Sequence, residues 1–248
     1  MTTTATPPRT RPSSRPSLAE QRDRQRRARR RVLRGVLALV LVVLVGAAAW
    51  VVYFSSVLDT RTVVVSGTQA LTPEQVTAAA AVPLGQPLAR QRLDAIARRA
   101  TSLPRVSSAQ VTREWPHTVR VTVVEREPLL GVAQPGGFLV VDKAGVVLAA
   151  ETTLPTGVVA VAADPANRPL LVELGSVVLS LPKEVRDQVT SIAAATPDSI
   201  QLKTTSGITI VWGDSSQSAL KAQVAVALLD SGPKTSIDVS SPHTPAVR

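Results

Sequence analysis

The sequence predicts an α+β fold carried outside a membrane: a single N-terminal transmembrane helix, a β-α-α-β-β domain, and a sheet-rich domain with two helices. Three observations predict it. Residues Gly35 to Phe54 contain no charge, the apolar positions after them switch between a period of two and a period of about 3.6, and Pro or Gly stands at most of the switches.

The first observation gives the span. Twenty residues at about 1.5 Å each make a helix of roughly 30 Å, the thickness of a hydrocarbon core. Four Leu, seven Val and one Phe in that run favour insertion by about 4 to 7 kcal/mol on the biological scale. Trp50, Tyr53 and Phe54 stand at its far end, where aromatic rings prefer the headgroup level. Of the 248 residues, the first 34 hold 11 Arg and two acids, whereas the other 214 hold 17 basic and 16 acidic side chains. The excess charge therefore belongs to the N-terminal flank. It places that flank in the cytoplasm and everything after about residue 55 outside. Ala47 and Ala49 offer a small-x-small pair that a signal peptidase could accept, but the apolar run is longer than the usual signal core, so retention as an anchor is expected. Residues 1–34 read as a disordered Arg-rich cytoplasmic tail, Pro- and Ser-rich over 1–17, and 35–54 as the transmembrane helix.

The second domain boundary follows from periodicity. Arg61 to Ser66 reads as a strand closed by Gly67. Thr72-Pro73-Glu74-Gln75 forms a capping box with Pro at the first helical position, opening a helix to about Ala81. Leu93, Ile96, Ala97 and Ala100 make one stripe of a second helix. Val106 to Glu114 and Val119 to Arg126 alternate as strands around the turn Trp115-Pro116-His117-Thr118. Beyond residue 128, Phe138 to Val141 and Val146 to Ala149 form a hairpin around Asp142-Lys143-Ala144-Gly145. Val185, Val189, Ile192 and Ala193 give a helical stripe bounded by Pro182 and Pro197. Ile200 to Lys203 and Ile208 to Trp212 form a second hairpin, Leu220, Val224, Ala227 and Leu228 a last helix, and Ile237 to Ser240 a final short strand. Residues 150–180 give no clear assignment.

Composition excludes several functions. Without cysteine there is no disulfide, thiolate nucleophile or thiolate metal site. Two histidines far apart in sequence leave little for a metal. With the external region near neutral and only Trp115, Phe138 and Trp212 as aromatics beyond residue 54, nucleic-acid binding is not expected. His117 and His243 read as surface side chains, Asp214 before Ser215-Ser216 as a helix entry, Glu125 and Glu127 as an exposed strand end, and Trp115 as an anchor on its own domain's core. No catalytic, cofactor-binding or metal-ligating residue is assigned, and the chain reads as a non-enzyme.

The stretch Leu103 to Leu129 closely resembles the signature of the FtsQ/DivIB family of bacterial cell-division proteins. The residues that carry the likeness are Leu103-Pro104, Val106, Arg113, Trp115-Pro116, Thr118, Glu125-Arg126 and Pro128. A β-α-α-β-β module just outside a span is similar to a POTRA domain, and Trp212-Gly213-Asp214, Lys221 and Ile237-Asp238-Val239 match motifs of the family's second domain. The resemblance implies a POTRA domain over 57–128, an FtsQ-type sheet domain over 129–240 and a tail over 241–248. It also implies a bitopic scaffold of the divisome at the midcell septum, with no cofactor. Its implied partners are FtsB/DivIC-like and FtsL-like bitopic proteins, the FtsW/FtsI synthase pair indirectly, and membrane lipid. A membrane-tethered POTRA chaperone of export or envelope assembly, or an anchored cell-wall hydrolase, remain alternatives. Partner binding is expected at the last sheet edge, with Ile237, Asp238, Val239, Ser240, Thr244, Ala246 and Val247 supplying strand addition.

Overall fold

The structure, a computed structural model, describes residues 18–232 and 234–248, with side chains described from Leu33 onward. The first helix, α1, runs Leu18–Phe54. Residues 18–34, expected as part of a disordered tail, thus continue the helix, consistent with the good helix formers Arg, Gln, Glu and Ala that fill them; residues 1–17 lie outside the described residues. Within α1, Leu33–Phe54 is long and apolar enough to cross a membrane and two residues longer than the expected span; none of it is fully buried, and its Phe54 end meets Arg90 of the first external domain.

The first external domain has β1 (Thr62–Ser66), α2 (Pro73–Ala80), α3 (Leu93–Ala100), β2 (Val106–Glu114) and β3 (Thr118–Glu125). Its sheet has the order β1-β3-β2, with β1 parallel and β2 antiparallel to the central β3. The capping box is made: Thr72 Oγ1 accepts from Gln75 N–H, and Gln75 Oε1 accepts from Thr72 N–H. Val119, Val121 and Val123 point inward from β3 onto Val76, Ala80, Ile96 and Ala100, the period-two face expected of them. Arg120, on the opposite face, pairs with Glu114 and holds its carboxyl below the usual range.

The second domain is one nine-stranded sheet in the order β12-β11-β10-β9-β8-β7-β4-β5-β6. Its strands are β4 (Leu130–Gln134), β5 (Gly137–Val141), β6 (Val147–Glu151), β7 (Val159–Ala162), β8 (Val189–Ala193), β9 (Ile200–Thr204), β10 (Thr209–Gly213), β11 (Ser236–Asp238) and β12 (Ala246–Val247). Its two helices longer than one turn are α4 (Arg168–Ser180) and α6 (Ser218–Leu229), which touch each other, with the single turn α5 (Lys183–Arg186) between them in sequence. Leu170, Leu174 and Val178 of α4 share a core with Ile192, Leu202, Ile210 and Trp212 of the sheet. The helix expected from the stripe at Val185–Ala193 is corrected: only α5 is helical, and Val189–Ala193 is strand β8. A register shift between Val189 and Ser191 turns the inward spacing from two to three, so Val189 and Ile192 both face the core and imitate a helical stripe. The second long helix lies instead within the unassigned residues 150–180.

Candidate functional site

Of the two strands that bound the large sheet, β12 ends the side nearest the last helix. Its support begins at β10. Trp212 is fully buried, and its Nε1 donates to Ser218 Oγ at 3.1 Å in the first turn of α6. Gly213 follows with φ +76°, and a Cβ there would stand 2.9 Å from Ser240 Cβ. Two requirements for glycine thus coincide. Lys221, 1% exposed, donates from Nζ to Asp214 Oδ1 at 2.6 Å and to Asp214 O at 2.9 Å. This bond and those from Ser216 N–H and Oγ hold the Asp214 carboxyl below its usual range. Asp214 is therefore not the N-cap expected of it, since α6 begins at Ser218 after Gln217. The Trp-Gly-Asp and Lys motifs form one clasp that fixes where α6 leaves β10 and so where β11 returns, parallel to β10 with Ile237 beside Ile210.

β11 is not the open edge expected of it. β12 folds back antiparallel upon it, pairing Ile237 with Val247 and Asp238 with Ala246. Arg248 N–H donates to Ser236 O at 3.0 Å, while Arg248 O accepts from Thr235 and Ser236 N–H at 2.8 and 3.0 Å. In an antiparallel ladder inward and outward groups alternate along a strand. Arg248 and Ala246 therefore face β11, and the N–H and C=O of Val247 face away from it. Among the described residues they meet no further strand. Of the seven residues expected to bind a partner, Ile237 and Val239 are buried core residues. Asp238 accepts from Ser240 Oγ and N–H, which keeps its carboxyl below the usual range. Ser240 and Thr244 are exposed in the connecting loop, and Ala246 and Val247 form the outer strand itself. The missed member of this set is Arg248, whose backbone closes the ladder; no sequence signal marks it.

The residues Arg113 to Pro128 are structural for the most part. Arg113 donates to the carbonyls of Leu88, Ala89 and Gln91 at 2.9, 3.3 and 2.7 Å, holding the loop before α3. Thr118 opens β3 opposite Glu114. Glu125, expected at an exposed strand end, instead accepts the N–H groups of Gln69, Ala70 and Leu71 at 2.7–3.0 Å. Arg126 reaches the second domain, donating to Asp142 Oδ2 at 2.9 Å, and Pro128 is exposed in the link between the domains. Trp115 and Pro116 are exposed at the β2–β3 turn; Trp115 does not pack in the core. His117 is half-buried, its Nδ1 3.0 Å from Asp59 O, and no group of three His, Cys, Asp or Glu among the described residues could hold a metal ion.

Comparison with known proteins agrees with this geometry. A family model described as POTRA domain, FtsQ-type, matches residues 58–126, and one described as cell division protein FtsQ/DivIB, C-terminal, matches residues 131–240. The chain is similar to the cell division protein FtsQ of Streptomyces venezuelae, 39% identical over 217 residues that cover 83% of this chain and 80% of that one. It is 42% identical to that of Streptomyces bingchenggensis over 209 residues, 80% of this chain and 79% of the other. With that of Mycolicibacterium smegmatis it shares 37% over 212 residues, 83% of this chain and 62% of the other.

Proposed function

The chain belongs to the FtsQ/DivIB family of cell-division proteins, and from that premise we propose that it is a single-span scaffold of the bacterial divisome. Its Arg-rich flank stays in the cytoplasm and both domains lie outside. It acts by contact, receiving an FtsB/DivIC-like protein and through it an FtsL-like one, and so helps bring septal peptidoglycan synthesis, the FtsW/FtsI pair, to the division site. The observation that carries this reading is the outward-facing backbone of Val247 on an exposed outer strand, an N–H and a C=O positioned for a strand from another chain. The buried clasp of Trp212, Asp214 and Lys221 supports it by fixing that edge.

Val247→Pro tests it. Proline removes the outward N–H but none of the bonds to β11, and edge strands tolerate it in that orientation. The full chain carrying Val247→Pro is expected to keep its circular dichroism, to lose pull-down of the FtsB-like partner and to lose its midcell position. Intact binding with an intact fold would remove β12 from the interface, and indiscriminate binding of unfolded clients would favour a chaperone. Topology has its own check: a reporter active only outside the membrane works when fused after Arg248 and fails at Thr10.

A further inference from the structure

The end of the first domain nearest α1 presents an apolar and cationic face. Soon after the 3-10 turn Ser56–Leu58, the residues Thr60 to Thr62 are gripped from two sides. Thr60 N–H donates to Gln86 O at 2.8 Å and Gly85 N–H to Thr60 O at 2.9 Å, while Arg61 and Thr62 N–H donate to His117 O at 2.9 and 3.2 Å. These bonds bring the loop at residues 83–87 and the turn at Trp115–His117 to the exit of α1. Each carries an exposed large apolar side chain: Leu84 is 62% exposed and Trp115 53%, beside Val57 at 62%. Tryptophan so exposed is costly against water, yet an amphipathic ring is at home at a headgroup boundary.

Charge lies on the same side. The Arg90 guanidinium stands 5.4 Å from the centroid of the Phe54 ring, the last residue of α1. Arg90, Arg92 and Arg99 line an open groove of about 480 Å³ with Gln91 and Pro87. Among the described residues none of these three arginines, nor Arg98 beyond them, has a carboxylate in salt-bridge contact. Arg99 donates to the carbonyls of Ala80 and Ala81, and Asp94 is the single acid lining the adjoining groove.

We infer that this face docks on the bilayer that α1 crosses, with Trp115 and Leu84 at the headgroup boundary and Arg90 and Arg92 on the phosphates of anionic phospholipid. The inference rests on α1 being a membrane span. An apolar contact combined with basic residues is the pairing that holds peripheral surfaces on anionic membranes. It also accounts for an exposed Trp115, which fold stability alone does not require.

The test uses the full chain with Trp50→Phe, so that only Trp115 and the buried Trp212 emit, in vesicles carrying a nitroxide lipid labelled near the headgroup. Part of the emission is expected to be quenched, that part being lost in Trp115→Phe. Quenching is stronger in vesicles containing phosphatidylglycerol than in phosphatidylcholine alone, and Arg90→Gln with Arg92→Gln removes the difference. Emission insensitive to the nitroxide but quenched by aqueous iodide overturns the docking. Quenching that phosphatidylglycerol does not strengthen, that the double variant leaves unchanged, or that inorganic phosphate releases at fixed ionic strength overturns the lipid contact. Quenching of Trp50 in the parent chain reports insertion of α1 separately, which distinguishes failure to span from failure to dock.

Discussion

Arg126 Nη1 donates to Asp142 Oδ2 at 2.9 Å, joining the residue after β3 of the first domain to the β5–β6 turn of the second. The other oxygen of Asp142 accepts the N–H groups of Ala144 and Val146 at 2.9 and 2.8 Å, and the Asp142 side chain is only 5% exposed. Asp142→Ala leaves a guanidinium without its partner and the turn without its acceptor, and is expected to cost about 3 kcal/mol. Asp142→Asn, which still accepts from the turn, costs less. Urea unfolding followed by circular dichroism ranks the two; equal costs would show that the ion pair, not the turn bonds, carries the effect.

The Lys221–Asp214 pair is asymmetric in burial, the lysine side chain being 1% and the aspartate 46% exposed. Removing the aspartate strands an ammonium in the core, whereas removing the ammonium leaves a carboxylate that water can reach. Asp214→Ala is therefore expected to cost about 3 kcal/mol, and Lys221→Met, which keeps the apolar stem, about 1 kcal/mol. The reverse ranking in thermal unfolding would contradict this account of the clasp.

Glu125 gives the fold an acid-sensitive joint. Partial burial pushes its carboxyl up, but the N–H groups of Gln69, Leu71 and Ala70, with Arg105 nearby, outweigh this and hold it below the usual range. A carboxyl lowered in the folded state contributes stability that is complete above its unfolded value of about 4.3 and is lost as pH falls through the folded value. Melting temperatures of wild type and Glu125→Gln are expected to differ most at neutral pH and to converge on acidification below the carboxylate range.

The register of β3 separates two neighbours. Val121 is fully buried against the helices, so Val121→Asp buries an unpaired charge and should cost more than about 3 kcal/mol. Arg120→Gln loses only a solvent-exposed ion pair with Glu114 and should cost far less, since water screens such a pair. Equal destabilisation would place both residues on one face.

How far the sequence reaches depends on the range of the forces at each element. In the first domain alternation, stripes and one capping box are local, and every element lies within a residue or two of its reading. The Val189–Ala193 strand was misread because a bulge reset its phase, and α4 escaped because Pro169 near its start and Gly175 within it resemble breaks. Glu125, Arg126 and Asp142 were legible as a motif but not as contacts, since their partners lie up to 56 residues away. Strand β12 is two residues beside Pro245, too short to show alternation; only its pairing with β11 makes it a strand.

The parallel pairing of β1 with β3 has a mechanical consequence. The chain leaves the membrane helix into the start of β1 and passes to the second domain from the end of β3, and these neighbours run side by side over five residue pairs, Thr62 with Thr118 through Ser66 with Thr122. Tension between the span and the large sheet thus pulls the two strands lengthwise in opposite directions. Their hydrogen bonds are strained together in shear rather than unzipped one after another, so the first domain forms a stiff link between α1 and the large sheet.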